Sequence, residues 1–246
     1  MVTCAIKKGW FYFDDQIVCL GVGISCDKDA LPITTSVNQC LTHGDLIVDA
    51  GQGAARPPKG LQDYSQLKWA CHDQVGYIFP EPQNITLGSQ DQTGSWKEVT
   101  ARDQPDPVTE NIFSIWIDHG VKPQNAHYSY LILPGASPET LAAQVSAPDV
   151  QILDNNPALQ AVRNKKLKMT EAIFYQPGAL TYAAGKTIAV DQPCLVLIDD
   201  NTNQLTLADP TQRLTNLTVT LNGIATKYAL PTGPKAGSSL ITAFGR

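Results

Sequence analysis

"KKGWFYFDDQIVCLGVGI", Lys7 to Ile24, is the stretch whose reading decides the fold. Two short runs, Trp10-Phe11-Tyr12-Phe13 and Ile17 to Ile24, flank Asp14-Asp15-Gln16. Aromatic and β-branched side chains fit a pleated surface, whereas Asp bonds to its own backbone and favours turns. The stretch therefore reads as a β-hairpin. Its second run has no charged residue, so that strand is expected to be buried on both faces. Gly21-Val22-Gly23 has no third glycine and no helical pattern after it, which excludes a dinucleotide-binding loop.

The same signature recurs along the chain. Ile33 to Gln39 alternates as a half-exposed strand would. Leu46-Ile47-Val48, Val75 to Phe79, Ile85-Thr86-Leu87, Ile112 to Ile117 and His127 to Leu133 follow, separated by Gly, Pro, Asn and Asp. Composition shifts near Ala147-Pro148-Asp149. Beyond it, Met169 to Tyr175, Thr187 to Val190, Cys194 to Ile198, Leu205 to Ala208 and Leu217 to Leu221 repeat the pattern. Short strands at this spacing predict an all-β chain built from sandwiches, with domains 1–148 and 149–246. Two places read as helical. Ser137 to Gln144 has a capping Ser and Pro at the first helical position, and Pro157 to Val162 suits one or two turns. The segment from Leu230 onward reads as an edge segment or a loose tail. No 20–50-residue repeat is present.

Composition excludes several classes. With 246 residues, 43% of them hydrophobic, the chain has enough apolar residues for one large or two small cores. The net charge is −5 and the longest basic run is Lys165-Lys166-Leu167-Lys168, which argues against a nucleic-acid binder. Binding an acidic polysaccharide would need a local basic groove. No apolar run approaches the ~20 residues of a membrane helix, and the residues after Met1 lack the apolar centre of an export signal. The six cysteines form no Cys-x-x-Cys pair, so a zinc or thioredoxin-type site is not expected. Their even number permits disulfides, with buried strand thiols as the alternative. The triplets Asn84-Ile85-Thr86 and Asn216-Leu217-Thr218 would matter only in a eukaryotic secretory route.

Few residues present themselves for chemistry. Asp118-His119 has the composition of a carboxylate orienting an imidazole base. Neighbours on a strand point to opposite faces, however, so a turn-forming Asp and a packed His are expected. No Gly-x-Ser-x-Gly elbow is present. His72-Asp73 and His43 near Asp45 read as loop polar residues. Tyr128 and Tyr130 share a strand face expected to be core. Asp14-Asp15 and Asp199-Asp200-Asn201 could offer oxygens to calcium but lack EF-hand spacing, and turn chemistry is the expectation. Of the four tryptophans, Trp10, Trp69 and Trp116 sit in or beside apolar strands, which predicts core packing. Trp96, within Gln92-Thr93-Gly94-Ser95-Trp96, has a loop setting and is the one expected to be exposed.

Taken in order, these segments resemble a known family. Lys7 to Gly21 is similar to the "KKxWFxFDxEIVxLGxGI" segment of the family 8 polysaccharide lyases. Ile33 to Gln39 resembles that family's next strand, with Asn38 retained and two charges replaced. Val75 to Pro80, Gln92 to Trp96, Asp118-His119-Gly120 and Tyr128 to Pro134 continue the likeness. Ala161-Val162-Arg163 and the Asp209-Pro210-Thr211 turn extend it into the second domain. Each motif is weak alone; their ordered series over nearly the whole chain is specific. The resemblance implies the later part of a galactose-mutarotase-like super-sandwich, followed by a small antiparallel β-sandwich. It also implies a secreted enzyme acting on hyaluronan, chondroitin or xanthan. That family's catalytic Asn, His, Tyr and Arg lie in an N-terminal helical toroid, so no residue here inherits a catalytic role. Trp96, Asp118, His119 and Tyr128 remain as candidate carbohydrate contacts, with no metal site and no cofactor expected beyond the calcium alternative. The partner implied is an acidic polysaccharide or another glycan, without nucleic acid or membrane. Two functions are open: the non-catalytic C-terminal region of a lyase, or a stand-alone lectin-like protein. A super-sandwich lacking its first strands would expose sheet edges, so homodimerisation or sheet rearrangement through them is also expected.

Overall fold

The computed structural model describes residues 4–27, 31–98, 100 and 106–244. The first half of the chain runs β1 (Cys4–Phe13), β2 (Gln16–Cys26), β3 (Thr34–Leu41), β4 (Leu46–Asp49), β5 (Gly60–Tyr64), β6 (Trp69–His72) and β7 (Val75–Ile78). It continues with β8 (Ile85–Gly94), β9 (Val108–Asp118), β10 (Ala126–Pro134) and helix α1 (Pro138–Ser146). The second half runs β11 (Val150–Asn156), β12 (Leu159–Asn164), β13 (Met169–Phe174), β14 (Gly178–Ala183) and β15 (Lys186–Val190). Then follow β16 (Cys194–Asp199), β17 (Gln204–Ala208), β18 (Asn216–Leu221), β19 (Ile224–Ala229) and β20 (Leu240–Ala243). Among the described residues the strands form four sheets, with orders β1-β2-β10-β7-β6-β4, β3-β9-β8-β5, β11-β12-β13-β16-β17-β20 and β14-β15-β18-β19. The all-β expectation holds.

The chain divides into two compact units. The first holds residues 1–5, 14–19 and 24–147; the second holds 6–13, 20–23 and 148–246. The hairpin predicted from the opening stretch forms around Asp14-Asp15, and β2 is buried along most of its length, as its apolar run requires.

The core of the first unit is built from Leu67, Ala70, Tyr77, Ile85, Leu87, Phe113, Ile115 and Ile117, with Tyr128 and Tyr130 joining it. In β9 the core residues Phe113, Ile115 and Ile117 alternate, the two-residue period of a strand. Helix α1 forms where Ser137 caps it, its side chain accepting a hydrogen bond from the Thr140 N–H, and Pro138 opens it. Its Leu141 is fully buried against β7 at Gly76, where an added Cβ would lie 2.3 Å from a Leu141 methyl. The close approach of helix and strand therefore requires glycine there.

The second unit packs the sheet holding β13 and β16 against the sheet holding β14 and β18. Inward-facing Leu180, Tyr182, Ile188, Val196, Ile198, Leu205, Leu207, Leu217 and Val219 fill the space between them. Residues 6–13 of β1 lie across the outer face of β12 and β13. A Cβ on Gly9 would come within 2.7 Å of Gln160 Oε1 and 2.8 Å of Ile173 Cδ1. This cover explains why β12 is buried on both faces, with Gln160 and Val162 at 0% exposure.

Three local expectations fail. Pro157 to Val162 is not helical. Asn156 Oδ1 accepts from the Ala158 and Leu159 N–H groups at 2.7 and 3.1 Å, and this side-chain turn sends the chain into β12. Trp10 is not core: it is 51% exposed, because in β1 the alternation turns Phe11 and Phe13 inward and Trp10 and Tyr12 outward. His72 is not in a loop but buried in β6, stacked on Phe113 at 4.2 Å between ring centroids. The cysteines divide between the two alternatives: Cys4 and Cys26 form a disulfide, while Cys19, Cys71 and Cys194 are buried thiols and Cys40 is half-buried. The C-terminal stretch supplies an edge strand, β20, paired with β17.

Candidate functional site

Asp118 ends β9, and His119 and Gly120 carry the chain out of the sheet. The ladder persists one step further: the His119 N–H donates to Ile33 O and the Ile33 N–H donates to Gly120 O, both at 2.9 Å. The Asp118 carboxylate turns to the backbone instead of to the imidazole. Its Oδ1 accepts from the Gly120 N–H at 2.8 Å, and Gly120 has φ +75°, a left-handed conformation that glycine reaches without Cβ strain. The imidazole points elsewhere, with Nε2 2.8 Å from Thr35 Oγ1. The strand-face argument thus holds, and the pair is not a carboxylate–imidazole couple.

His119 begins an aromatic ladder. Its ring lies 6.0 Å from that of Tyr128, which lies 5.7 Å from Tyr130, which lies 6.5 Å from Phe79. Tyr128 is 2% exposed, so its ring presents no face to solvent. Tyr130 hydrogen-bonds with Cys19; burial pushes its phenol far above the usual range and raises the Cys19 thiol to about 11. Burial likewise lifts Tyr77 to about 12 and lowers His72, a buried imidazole that accepts the His43 N–H at 3.3 Å. These groups are neutral at pH 7 and hydrogen-bonded within the core, a state that suits packing rather than proton transfer.

Beside Asp118 lies a polar groove of about 370 Å³ lined by Asp63, Tyr64, Ser65, Asn84, Ile85, Thr86 and Asp118. Thr86 Oγ1 donates to Asp63 Oδ1 at 2.7 Å. The lining has two carboxylates and no cationic side chain, so it offers acceptors to hydroxyl groups and repels anions.

Trp96 is 63% exposed and opens a short 3-10 turn steadied by Ser95, whose Oγ accepts the Lys97 N–H at 3.2 Å. It does not join the other candidates. In the β8–β9 hairpin, Ile85 faces Ile117 at one end and Gly94 faces Val108 at the other. At ~3.3 Å per residue, Trp96 and Asp118 stand roughly 30 Å apart along the hairpin. The structure brings His119 and Tyr128 together, turns Asp118 away from them and leaves Trp96 at the opposite end.

The second unit holds charged groups that sequence reading passed over. Asp200 is almost fully buried and takes hydrogen bonds from Arg163 Nη2 at 2.8 Å and Lys186 Nζ at 2.9 Å, while Arg163 Nη1 donates to Thr170 Oγ1. Burial alone would raise the Asp200 pKa, but these cations and their hydrogen bonds hold it below the usual carboxylate range. Asp199 Oδ1 accepts from the Asn201 and Thr202 N–H groups, the turn chemistry expected of it. Among the described residues no cluster of three or more His, Cys, Asp or Glu side chains is placed to hold a metal ion. Among the described residues no helix is long and apolar enough to cross a membrane.

Comparison with known proteins now places this architecture. The model of the polysaccharide lyase family 8 super-sandwich domain matches residues 2–145, and that of the family's C-terminal β-sandwich domain matches residues 151–218. The chain is 38% identical to the chondroitinase-AC of Pedobacter heparinus over 209 residues, covering 84% of this chain and 29% of that protein. It is 30% identical to the hyaluronate lyase of Thermasporomyces composti and 30% identical to the xanthan lyase of Bacillus sp. strain GL1, covering 28% and 23% of them. The structure of a chondroitinase AC lyase studied in oligosaccharide complexes superposes with a TM-score of 0.89 at 34% identity, over 96% of this chain and 36% of that one. The chain therefore spans about a third or less of these relatives. With both domain types matched in order, and with sheets that superpose so closely, the chain belongs to polysaccharide lyase family 8.

Proposed function

We propose that this chain is the C-terminal β-region, super-sandwich strands followed by a small sandwich, of a secreted lyase. That lyase would cleave hyaluronan-, chondroitin- or xanthan-type polysaccharides by β-elimination. In this reading residues 1–148 belong to the central domain and 149–246 to the terminal one, and the region is inactive by itself. β-Elimination beside a uronate needs a cationic or strong hydrogen-bond donor group for the carboxylate and a base in reach of the C5 proton. The observation that carries the reading is the strand-end locus. Asp118 is committed to the Gly120 N–H, His119 faces Thr35, and the adjoining groove holds two carboxylates and no cation. Such a groove repels a uronate instead of holding it.

The test is to incubate the chain with hyaluronan, chondroitin and xanthan and follow the ultraviolet absorbance of unsaturated uronate. The expected result is no product above the uncatalysed background. Sustained turnover abolished by His119→Ala or Tyr128→Phe would overturn the proposal. One observation favours a second reading, a lectin-like protein acting on its own: Trp96 presents 63% of its surface to solvent, as a sugar-stacking ring would. A glycan array separates the two, since specific binding lost in Trp96→Ala would support the second.

A further inference from the structure

Trp116 lies in an apolar run, yet register turns it away from the core of its unit. Across the sheet β3-β9-β8-β5, Thr35, Ile117, Ile85 and Tyr64 stand in one row. Thr35, Ile117 and Ile85 are buried, and Tyr64 packs against the same core. The neighbouring row is Ser36, Trp116, Thr86 and Asp63, so alternation directs it to the outer face of the sheet. Trp116 is half-buried there, and it takes no part in the core cluster. Asp118 follows Trp116 by two residues and Asn84 precedes Thr86 by two, so both belong to this face. The Asp118 N–H donates to Asn84 O at 2.8 Å, which holds the two positions side by side.

Asp63, Asn84, Thr86 and Asp118 line the groove of about 370 Å³, and Trp116 stands beside it as the cross-strand neighbour of Thr86. Directly opposed residues carry their Cβ atoms about 5 Å apart. From Asp63 to Trp116 is two strand spacings, roughly 10 Å, and from Trp116 to Asp118 roughly 7 Å. The polar groups are held in fixed directions. Asp63 Oδ1 accepts from the Thr86 hydroxyl at 2.7 Å, and Asp118 Oδ1 accepts from the Gly120 N–H at 2.8 Å. Each carboxylate is thus tied down by one oxygen. Among the described residues the second oxygen of each, and the Asn84 carboxamide, have no protein partner. The face therefore offers an aromatic ring, two oriented acceptors and one carboxamide that both donates and accepts.

We infer that Trp116 and the groove of Asp63, Asn84, Thr86 and Asp118 form a binding site for a neutral saccharide. A pyranose has an apolar C–H face and a rim of hydroxyl groups. The C–H face suits the Trp116 ring, which is apolar over its body. Neighbouring hydroxyl groups donate to the free oxygens of Asp63 and Asp118, and such bonds to a charged acceptor are the stronger kind. Asn84 then donates to a hydroxyl or ring oxygen. Other ligands use the face less completely. A uronate or sulfated sugar meets two carboxylates and is repelled. A metal ion finds no cluster of three or more acidic, His or Cys ligands among the described residues. A lysine or arginine side chain has no acceptor for the Asn84 amide. The site is separate from the proposed role in a lyase and from Trp96, since its ligand is uncharged and it lies at the other end of the β8–β9 hairpin.

The test titrates the intact chain with methyl glycosides of glucose, galactose, mannose, N-acetylglucosamine and N-acetylgalactosamine, followed by amide and indole N–H nuclear magnetic resonance. Glucuronate and galacturonate glycosides serve as the charged counterparts. At least one neutral glycoside should shift the amides of Asp63, Thr86 and Asp118 and the Trp116 indole N–H, with a Kd of about 1 mM. The matching uronate should bind at least about tenfold more weakly. Asp63→Asn keeps an acceptor for Thr86 and removes the charge. It should weaken the neutral sugar about tenfold and narrow its advantage over the uronate, which loss of a merely structural group would not do. Asn84→Ala, outside the strands, should weaken every sugar alike. Four results would each overturn the inference: no shift at these positions with any neutral glycoside; a uronate bound as tightly as its neutral counterpart; the same amides shifted by calcium or oligolysine but by no sugar; or sugar shifts confined to the Trp96 turn and lost in Trp96→Ala.

Discussion

At the scale of single residues, three carboxyl groups in the second unit carry stability with different signs. Asp209 is buried and accepts from the Thr211 hydroxyl and from the Thr211, Arg213 and Leu214 N–H groups, all within 2.6–2.8 Å. Burial alone would raise its pKa, but these donors draw it down to about 2. The stability it contributes is complete above 3.8 and is lost as pH falls toward 2. Asp209→Ala should cost about 2–3 kcal/mol in urea unfolding at pH 7, with the deficit shrinking in acid. Asp200→Ala would strand the buried Arg163 guanidinium and should cost about 3–5 kcal/mol. Glu171 behaves oppositely. Its folded value of about 7 exceeds the ordinary 4.5, so its contribution is complete below 4.5 and declines as pH rises through 7. Glu171→Gln should therefore melt at a temperature that gains on the parent across that window. A constant offset would show that Glu171 is not the titrating group.

Elements are positioned here by close approaches more than by propensity. β1 reaches β12 and β13 because residue 9 has no side chain; Gly9→Ala would press a methyl against Gln160 and Ile173. Overpacking of this kind costs about 1–3 kcal/mol. It should also raise the exchange rate of the β1 amides before those of β16 and β17, a distinction that global destabilisation would not make. Helix α1 depends on its cap: Ser137→Ala should cost about 1 kcal/mol, and the loss should appear as fraying of the first turn while Leu141 stays buried.

At the scale of the whole molecule, charge limits what the chain can hold. A net charge of −5, a pI near 5.3 and a groove lined by Asp63 and Asp118 oppose electrostatic capture of a polyanion. Passed over immobilised hyaluronan or chondroitin sulfate at low ionic strength and pH 7, the chain should elute unretarded. Retention relieved by salt would reveal a local basic groove.

Periodicity alone determined the strand content, the β1–β2 hairpin, the capped helix after Gly135 and the burial of Tyr128 and Tyr130. These follow from local rules: alternate side chains face opposite ways, Asp turns the chain, and Ser with Pro starts a helix. The ordered motifs also determined the family. Local rules failed where a side chain's surroundings come from distant sequence. Pro157 to Val162 has helix-forming residues, yet Asn156 turns it and β13 pairs with it. Trp10 lies in an apolar run, yet only the tertiary structure shows that its face of β1 is left uncovered. Asp118-His119 could be judged from strand geometry, but the recipients of its two side chains, Gly120 and Thr35, depend on how β3 meets β9. Neither the Arg163–Asp200–Lys186 cluster nor the separation of roughly 30 Å between Trp96 and Asp118 along the hairpin has a local signature. Both arise from register between strands, which pairing in three dimensions sets.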